Sequence, residues 1–239
     1  MISRRVFLAS AASFALAPQF AFAKDGVPTV LDHILLGCND LDRGIAYVEK
    51  HTGVPAMFGG VHPGRGTRNA LLSLGEPARD ELHSRRYLEI IAPDPQQTGV
   101  SDHYGLEKLT EPRLVGWAAH PGDLNQFAIR LRNAGVEFDG PTPGSRQTPD
   151  GKLLQWKTLN LKDAGLLPFF IEWNASSTHP SIAAPRGCHL DQFELLTPDP
   201  EALTKTAKRL GLDVEISKAD RPQLRAVIKG GDQVWQVTS

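Results

Sequence analysis

Three stretches of the chain repeat one alternation of apolar and polar positions. The first, Leu31 to Val54, reads LDHILLGCNDLDRGIAYVEKHTGV. Leu31, His33, Leu35 and Gly37 share one strand face at period two, with Asp32, Ile34 and Leu36 on the other. Asp40 follows where a helix N-cap belongs, its carboxylate placed to accept from a free amide of the first turn. Leu41, Ile45 and Val48 then recur at helical spacing, and Gly53 supplies a left-handed stop. The pattern returns from Leu114 to Phe138 and from Leu190 to Val214, with caps at Asp123 and Asp199 and closing glycines at Gly135 and Gly211. Copies recur roughly every 80 residues, which marks one supersecondary unit used several times.

The segments between the copies complete each unit. After the first helix, the glycine-rich run Phe58 to Thr67 predicts a tight exposed path where backbone approaches a ligand. Strands are predicted at Arg68–Leu74 and Arg86–Ala92, joined by a hairpin loop from Gly75 to Arg85. Gln96 to Pro112 reads as a linker with one short helical turn. The second unit predicts a strand at Leu114–Ala119, a helix at Leu124–Asn133, a proline- and glycine-rich loop from Gly140 to Gly151, and strands at Leu153–Leu159 and Pro168–Trp173. Asn174 to Gly187 is a second linker. The third and shortest unit predicts strands at Val214–Ser217, Gln223–Lys229 and Gln233–Thr238, the last two joined by a turn at Gly230–Gly231. The class is α+β, built of repeated strand–helix–three-strand (βαβββ) units. The domain plan is a leader over 1–23, a domain over 24–186 with paired units at about 28–95 and 113–175, and a third, shorter unit over 187–239 packed on the same domain.

The leader reads as an address. Arg4-Arg5 precedes Phe7-Leu8, an apolar run extends to Ala17, and Ala21-Phe22-Ala23 forms a small-x-small cleavage site. Paired arginines before Phe-Leu resemble a twin-arginine signal, a route that exports folded proteins. The expectation is a mature protein that starts near Lys24 and works in the periplasm or outside the cell, with the twin-arginine machinery as its export partner. The run is too short to remain in a bilayer, and no membrane span is expected in the mature chain. Net charge is −1 with no long basic run, which argues against nucleic acid as a partner. The two cysteines, Cys38 and Cys188, lie on equivalent strands of sister units, open either to a bridge in an oxidising compartment or to two half-buried thiols.

Repeated units opened by Leu-Asp-His and closed by Tyr-Leu-Glu-Ile-Ile resemble the vicinal oxygen chelate superfamily. Within it, HPGRGTRN (His62 to Asn69), RYLEIIAPDP (Arg86 to Pro95), FFIEW (Phe169 to Trp173) and HPS (His179 to Ser181) resemble the glyoxalase-like domain group. The resemblance implies curled, half-open mixed sheets around a cavity, with each unit's first and fourth strands side by side. It also implies a divalent metal (Zn, Mn or Fe) held by those strands. Carried over, the ligands are His33 and Glu89 from the first unit and Glu172 from the second, where Gly116 stands in place of a second histidine. The third unit offers only the amides Gln192 and Gln236, which are weak ligands.

One imidazole and two carboxylates suit such an ion and leave positions for two substrate oxygens. The metal would stabilise the enolate formed when a proton leaves a carbon beside a carbonyl. Glu89, Glu172 and His62 are the candidate catalytic groups for that proton. Arg65, Asn69 and Trp156 are the candidate substrate contacts, Arg65 for a carboxylate or phosphate and Asn69 for a hydroxyl. His179 and His189 are candidate replacement ligands. The expected function is an exported, metal-dependent enzyme with lyase- or isomerase-type proton-transfer chemistry on a small oxygen-rich substrate, with room for a homodimer. Two alternatives stay open: a small-molecule-binding module of the same fold, and a metal-free enzyme using Glu89 or Glu172 as base.

Overall fold

The three caps form as the pattern requires. Asp40 accepts from Arg43 N, Asp123 from Gln126 N and Asp199 from Ala202 N, so each carboxylate satisfies one orphan amide of its helix. In this computed structural model the described residues are 26–75, 85–97, 99, 102 and 104–239. The leader with its arginine pair, most of the loop from Gly75 to Arg85, and His83 and His103 lie outside them. Among the described residues, no helix is long and apolar enough to cross a membrane.

The first unit runs β1 (Leu31–Gly37), α1 (Leu41–Thr52), β2 (Met57–His62), β3 (Thr67–Ser73) and β4 (Tyr87–Pro93). The second runs β5 (Arg113–Ala119), α2 (Leu124–Asn133), β6 (Phe138–Gln147), β7 (Leu153–Leu161) and β8 (Phe169–Trp173). Their strands form one eight-stranded mixed sheet in the order β2-β3-β4-β1-β5-β8-β7-β6. First and fourth strands pair in parallel in each unit, β1 with β4 and β5 with β8, and the units join through the antiparallel pair β1–β5. A 3-10 turn at Leu106–Lys108 occupies the first linker, and a short helix α3 (Pro180–Ala183) the second.

Two segments expected to be loops are strands. The glycine-rich run contains β2, and the proline-rich stretch after α2 is β6, which keeps its pairing to β7 through an irregularity between Asp139 and Thr142. As edge strands, β2 and β6 tolerate proline and glycine that a central strand would not. The edges also meet. The Arg146 guanidinium hydrogen-bonds the Gly59 carbonyl, and a Cβ on Gly60, whose φ is +144°, would lie 2.6 Å from Gln147 O. Glycine is therefore needed where the two edges of the curled sheet touch.

The third unit has the expected element order, β9 (Cys188–Thr197), α4 (Pro200–Arg209), β10 (Glu215–Lys218), β11 (Gln223–Gly230) and β12 (Gln233–Thr238). Its pairing differs. The sheet runs β10-β9-β11-β12, so β12 is not beside β9, and Gln192 and Gln236 flank Val227 of β11 instead of facing each other. This second sheet packs with α1 and α2 on the convex face of the first, where Ile34, Leu88, Trp117, Phe127, Phe170, Phe193, Ile228 and Trp235 share one apolar core. Trp117 meets Phe193 at 5.2 Å between ring centroids. Cys38 and Cys188 are free, buried thiols. Burial pushes the Cys38 thiol up to about 12. The concave face is left to the cavity.

Candidate functional site

The concave face is built by alternation. His33 and Leu35 of β1, Tyr87, Glu89 and Ile91 of β4, and Phe169, Ile171 and Trp173 of β8 all line one cavity of about 480 Å³. Their neighbours Ile34, Leu88, Ile90 and Phe170 point the other way, into the core. Leu35, Ile91, Leu106 and Leu109 close one end as a small apolar cluster. His62, Arg65 and Trp156 line the cavity and also an outer vestibule of about 590 Å³, so they stand at the mouth.

Glu89 is the centre of the polar groups. Its Oε1 accepts from Asn69 Nδ2 at 2.7 Å and lies 3.5 Å from His62 Nε2, while Oε2 lies 3.3 Å from His33 Nε2. His33 Nδ1 donates in turn to Asp32 Oδ1 at 2.7 Å. Asp32 Oδ2 accepts from Trp173 Nε1 at 3.1 Å and meets His179 Nε2 at 3.2 Å, and His179 Nδ1 lies 2.8 Å from Ser181 Oγ. Burial opposes charge on His33, but the hydrogen bonds and charges of Asp32 and Glu89 prevail and raise its pKa to about 9. Burial also opposes charge on Glu89, yet His33, His62 and Asn69 hold it down at about 2. Asp32 is likewise held low, against burial, by His179 and His33. At neutral pH the buried trio is therefore carboxylate, imidazolium, carboxylate.

His62 is different. Burial lowers its pKa, with Glu89 only partly offsetting, so its imidazole is neutral. Its Nδ1 lies 2.9 Å from Thr67 Oγ1, and its Nε2 lies 3.2 Å from Asn69 Nδ2. The two hydrogens of that amide nitrogen serve Glu89 and His62 together, which assigns the His62 proton to Nδ1 and a lone pair to Nε2.

These features and the comparisons agree. A family model of a glyoxalase-like domain matches residues 31–211. The chain belongs to the glyoxalase-like domain family. No curated protein matches it. Among solved structures, a hypothetical protein from Staphylococcus aureus superposes with a TM-score of 0.59 at 18% identity, over 86% of this chain and 84% of that one. A methylmalonyl-CoA epimerase from Streptomyces coelicolor in complex with 2-nitronate-propionyl-CoA gives 0.46 at 23%, over 61% and 97%. The Mycobacterium tuberculosis methylmalonyl-CoA epimerase gives 0.42 at 23%, over 68% and 96%.

In this glyoxalase-like domain the expected metal set does not assemble. Leu35 pairs with Glu89 across β1–β4, and its counterpart Ala118 pairs with Phe169 across β5–β8. Phe169 thus holds the place of Glu89, and Glu172 sits three residues further along β8. An odd slip turns a side chain to the opposite face. Glu172 accordingly leaves the cavity wall and accepts from Leu124 N at 2.7 Å, at the start of α2, apart from His33 and Glu89. A Cβ on Gly116 would point at the Tyr104 ring, 3.9 Å away, and the second unit offers no ligand there either. His33 has both nitrogens turned to carboxylates, and Glu89 is already met by three side chains. Among the described residues, no group of three or more His, Cys, Asp or Glu is arranged to hold a metal. The residues present do not fit the divalent ion that the resemblance implies.

The sequence placed Asp32 on the face opposite His33. A bulge between Leu31 and His33 in the β1–β5 pairing turns Leu31 into the convex core and Asp32 towards His33 and His179. Arg146 was hidden in the expected loop; strand alternation along β6 carries it into the cavity. His179 approaches the site from behind, through Asp32, and His189 lies on β9 in the second sheet. Trp156 stands 5.4 Å from Trp173 and 6.5 Å from His62, ring centre to ring centre, forming one aromatic wall.

Proposed function

We propose that this glyoxalase-like domain is an enzyme that moves a proton to or from a carbon next to a carbonyl, an isomerase- or lyase-type step on a small oxygen-rich molecule. One observation carries this reading. A neutral imidazole (His62) and an ionised carboxylate (Glu89) sit 3.5 Å apart on a cavity wall, their protonation states pushed apart by His33 and by burial. His62 Nε2 takes the substrate proton on the lone pair that otherwise accepts from Asn69 Nδ2, so the reacting C–H displaces that hydrogen bond. The imidazolium that forms faces Glu89 Oε1, whose charge stabilises it, and the proton returns by the same path. His33 and Asp32 stay behind Glu89 and fix its charge and rotamer. The Tyr87 hydroxyl is the donor for the enolate oxygen: burial and Glu89 raise its pKa well above 10, so it keeps its proton. Trp156, Trp173 and Phe169 exclude water around the reacting carbon.

The test is exchange of the activated C–H with deuterium in D2O, followed by proton NMR over a panel of ketones, hydroxyaldehydes and 2-oxo acids. Wild type should exchange at least one of them, and His62→Gln and Glu89→Gln should slow that exchange by 10²-fold or more. Exchange unaffected by either substitution refutes the assignment. A second reading, a binding module without turnover, is favoured by the second unit, which presents Gly116 and Phe169 where the first presents His33 and Glu89. Saturable binding without exchange across the panel would support it.

A further inference from the structure

Arg146 is 3% exposed, yet its guanidinium has no carboxylate within ion-pair distance among the described residues. The contrast with Arg225, which pairs with buried Glu194, is direct. Arg146 makes one hydrogen bond, from Nη1 to the Gly59 carbonyl, which pins its stem across the seam between β2 and β6. That leaves most of its five N–H donors unused, and the residue lines the cavity shared by Glu89, Tyr87, Phe169, Trp156 and Trp173. Burial lowers its pKa, which is the mark of a charge kept out of water without a full partner. A buried, unpaired cation is costly to maintain and serves stability poorly. Glu89 relieves it only in part: its charge raises the Arg146 pKa against burial, but its oxygens are engaged by Asn69 and His33 and make no ion pair with the guanidinium.

We propose that Arg146 is the anchor for a carboxylate on the ligand of this cavity, and that the ligand is a small monocarboxylate with a planar, apolar body. The planar fork of the guanidinium matches a carboxylate in two parallel hydrogen bonds. The aromatic side chains Trp156, Trp173 and Phe169 give the body flat walls, and the cavity of about 480 Å³ takes a molecule of this size. Exposed Arg65 stands at the mouth, where it adds a positive field along the entry path. This proposal rests on the same cavity as the proton-transfer reading, and its test needs no turnover.

The experiment is isothermal titration of the protein with benzoate, phenylacetate, benzamide and inorganic phosphate at low salt, with quenching of tryptophan fluorescence as a second readout. The wild type should bind benzoate or phenylacetate, and benzamide at least tenfold more weakly. Arg146→Gln should lose tenfold or more in carboxylate affinity while keeping its circular dichroism. Arg146→Lys, which retains the charge and loses the fork, should fall between the two. Glu89→Gln should bind benzoate at least as tightly as wild type, and a wild type that binds benzoate but exchanges no member of the ketone, hydroxyaldehyde and 2-oxo acid panel would count against the proton-transfer reading alone. Equal affinity for benzoate and benzamide overturns the proposal. So do wild-type binding by both Arg146 variants, the absence of carboxylate binding, or phosphate binding tighter than both carboxylates.

Discussion

The buried trio Asp32–His33–Glu89 makes stability depend on pH in a way the geometry dictates. His33 titrates near 6.5 when unfolded and at about 9 when folded. Each pKa unit is worth about 1.4 kcal/mol, so holding the proton on His33 contributes about 3 kcal/mol. Asp32 and Glu89 share that shift, and the Glu89 part is the same attraction that holds Glu89 at about 2, so the two shifts overlap and are not added. Because the folded value of His33 is raised, this contribution is complete below pH 6.5 and drains away as pH rises towards 9. Because the folded value of Glu89 is lowered, the acid limb is the reverse: its stability is present above about 4.5 and lost as pH falls towards 2. The assay is urea unfolding from pH 5 to 10 for wild type and His33→Gln, which removes the clamped imidazole and leaves His62 and His179 common to both curves. The wild-type-minus-variant difference should be flat to about pH 6.5, then fall by about 3 kcal/mol by pH 9. In Glu89→Gln, His33 keeps only Asp32, so the fall should shrink to about half and end at lower pH. A difference curve that is level between pH 6 and 10, or that is the same in Glu89→Gln, refutes the claim that His33 is an imidazolium clamped between two carboxylates.

Three further outcomes follow from the same contacts. Asp32→Asn removes the acceptor shared by His33, Trp173 and His179 and leaves a buried imidazolium half-paired; unfolding free energy should drop by about 3–5 kcal/mol at pH 7, and a loss below 1 kcal/mol would show the network to be dispensable. Glu172→Gln weakens only the acceptor for the Leu124 amide; it should cost about 1 kcal/mol in urea unfolding and leave deuterium exchange at the wild-type rate, and exchange slowed as in Glu89→Gln would return Glu172 to the site. Since the donor set does not fit a divalent ion, chelation with EDTA followed by Zn²⁺, Mn²⁺ or Fe²⁺ should leave Tm and deuterium exchange unchanged; a Tm that rises with stoichiometric metal and loses that rise in His33→Ala contradicts the fit drawn from β1, β4 and β8.

Local chemistry wrote the units into the sequence. Asp40, Asp123 and Asp199 cap their helices because a carboxylate one residue ahead of the first turn meets a free amide wherever the helix later packs. Period-two alternation fixed which of His33, Leu35, Tyr87, Glu89 and Ile91 share a face, since strand geometry sends neighbours to opposite sides. Edge strands were harder to read: β2 and β6 carry glycine and proline that signal loops, and only their partners β3 and β7 hold them extended. Register was beyond the sequence. Glu89 and Glu172 stand the same distance after Asp40 and Asp123, so the chain presents them as equivalents. Pairing between β5 and β8 slips by three residues relative to β1 and β4 and sends Glu172 to the convex face. A bulge in β1 did the opposite for Asp32, and alternation along an unrecognised strand brought in Arg146. Helix caps and strand faces are set by neighbours in the chain. Register, bulges and the meeting of sheet edges are set by hydrogen bonds between segments far apart in it, and those decided which acidic and basic groups share the cavity.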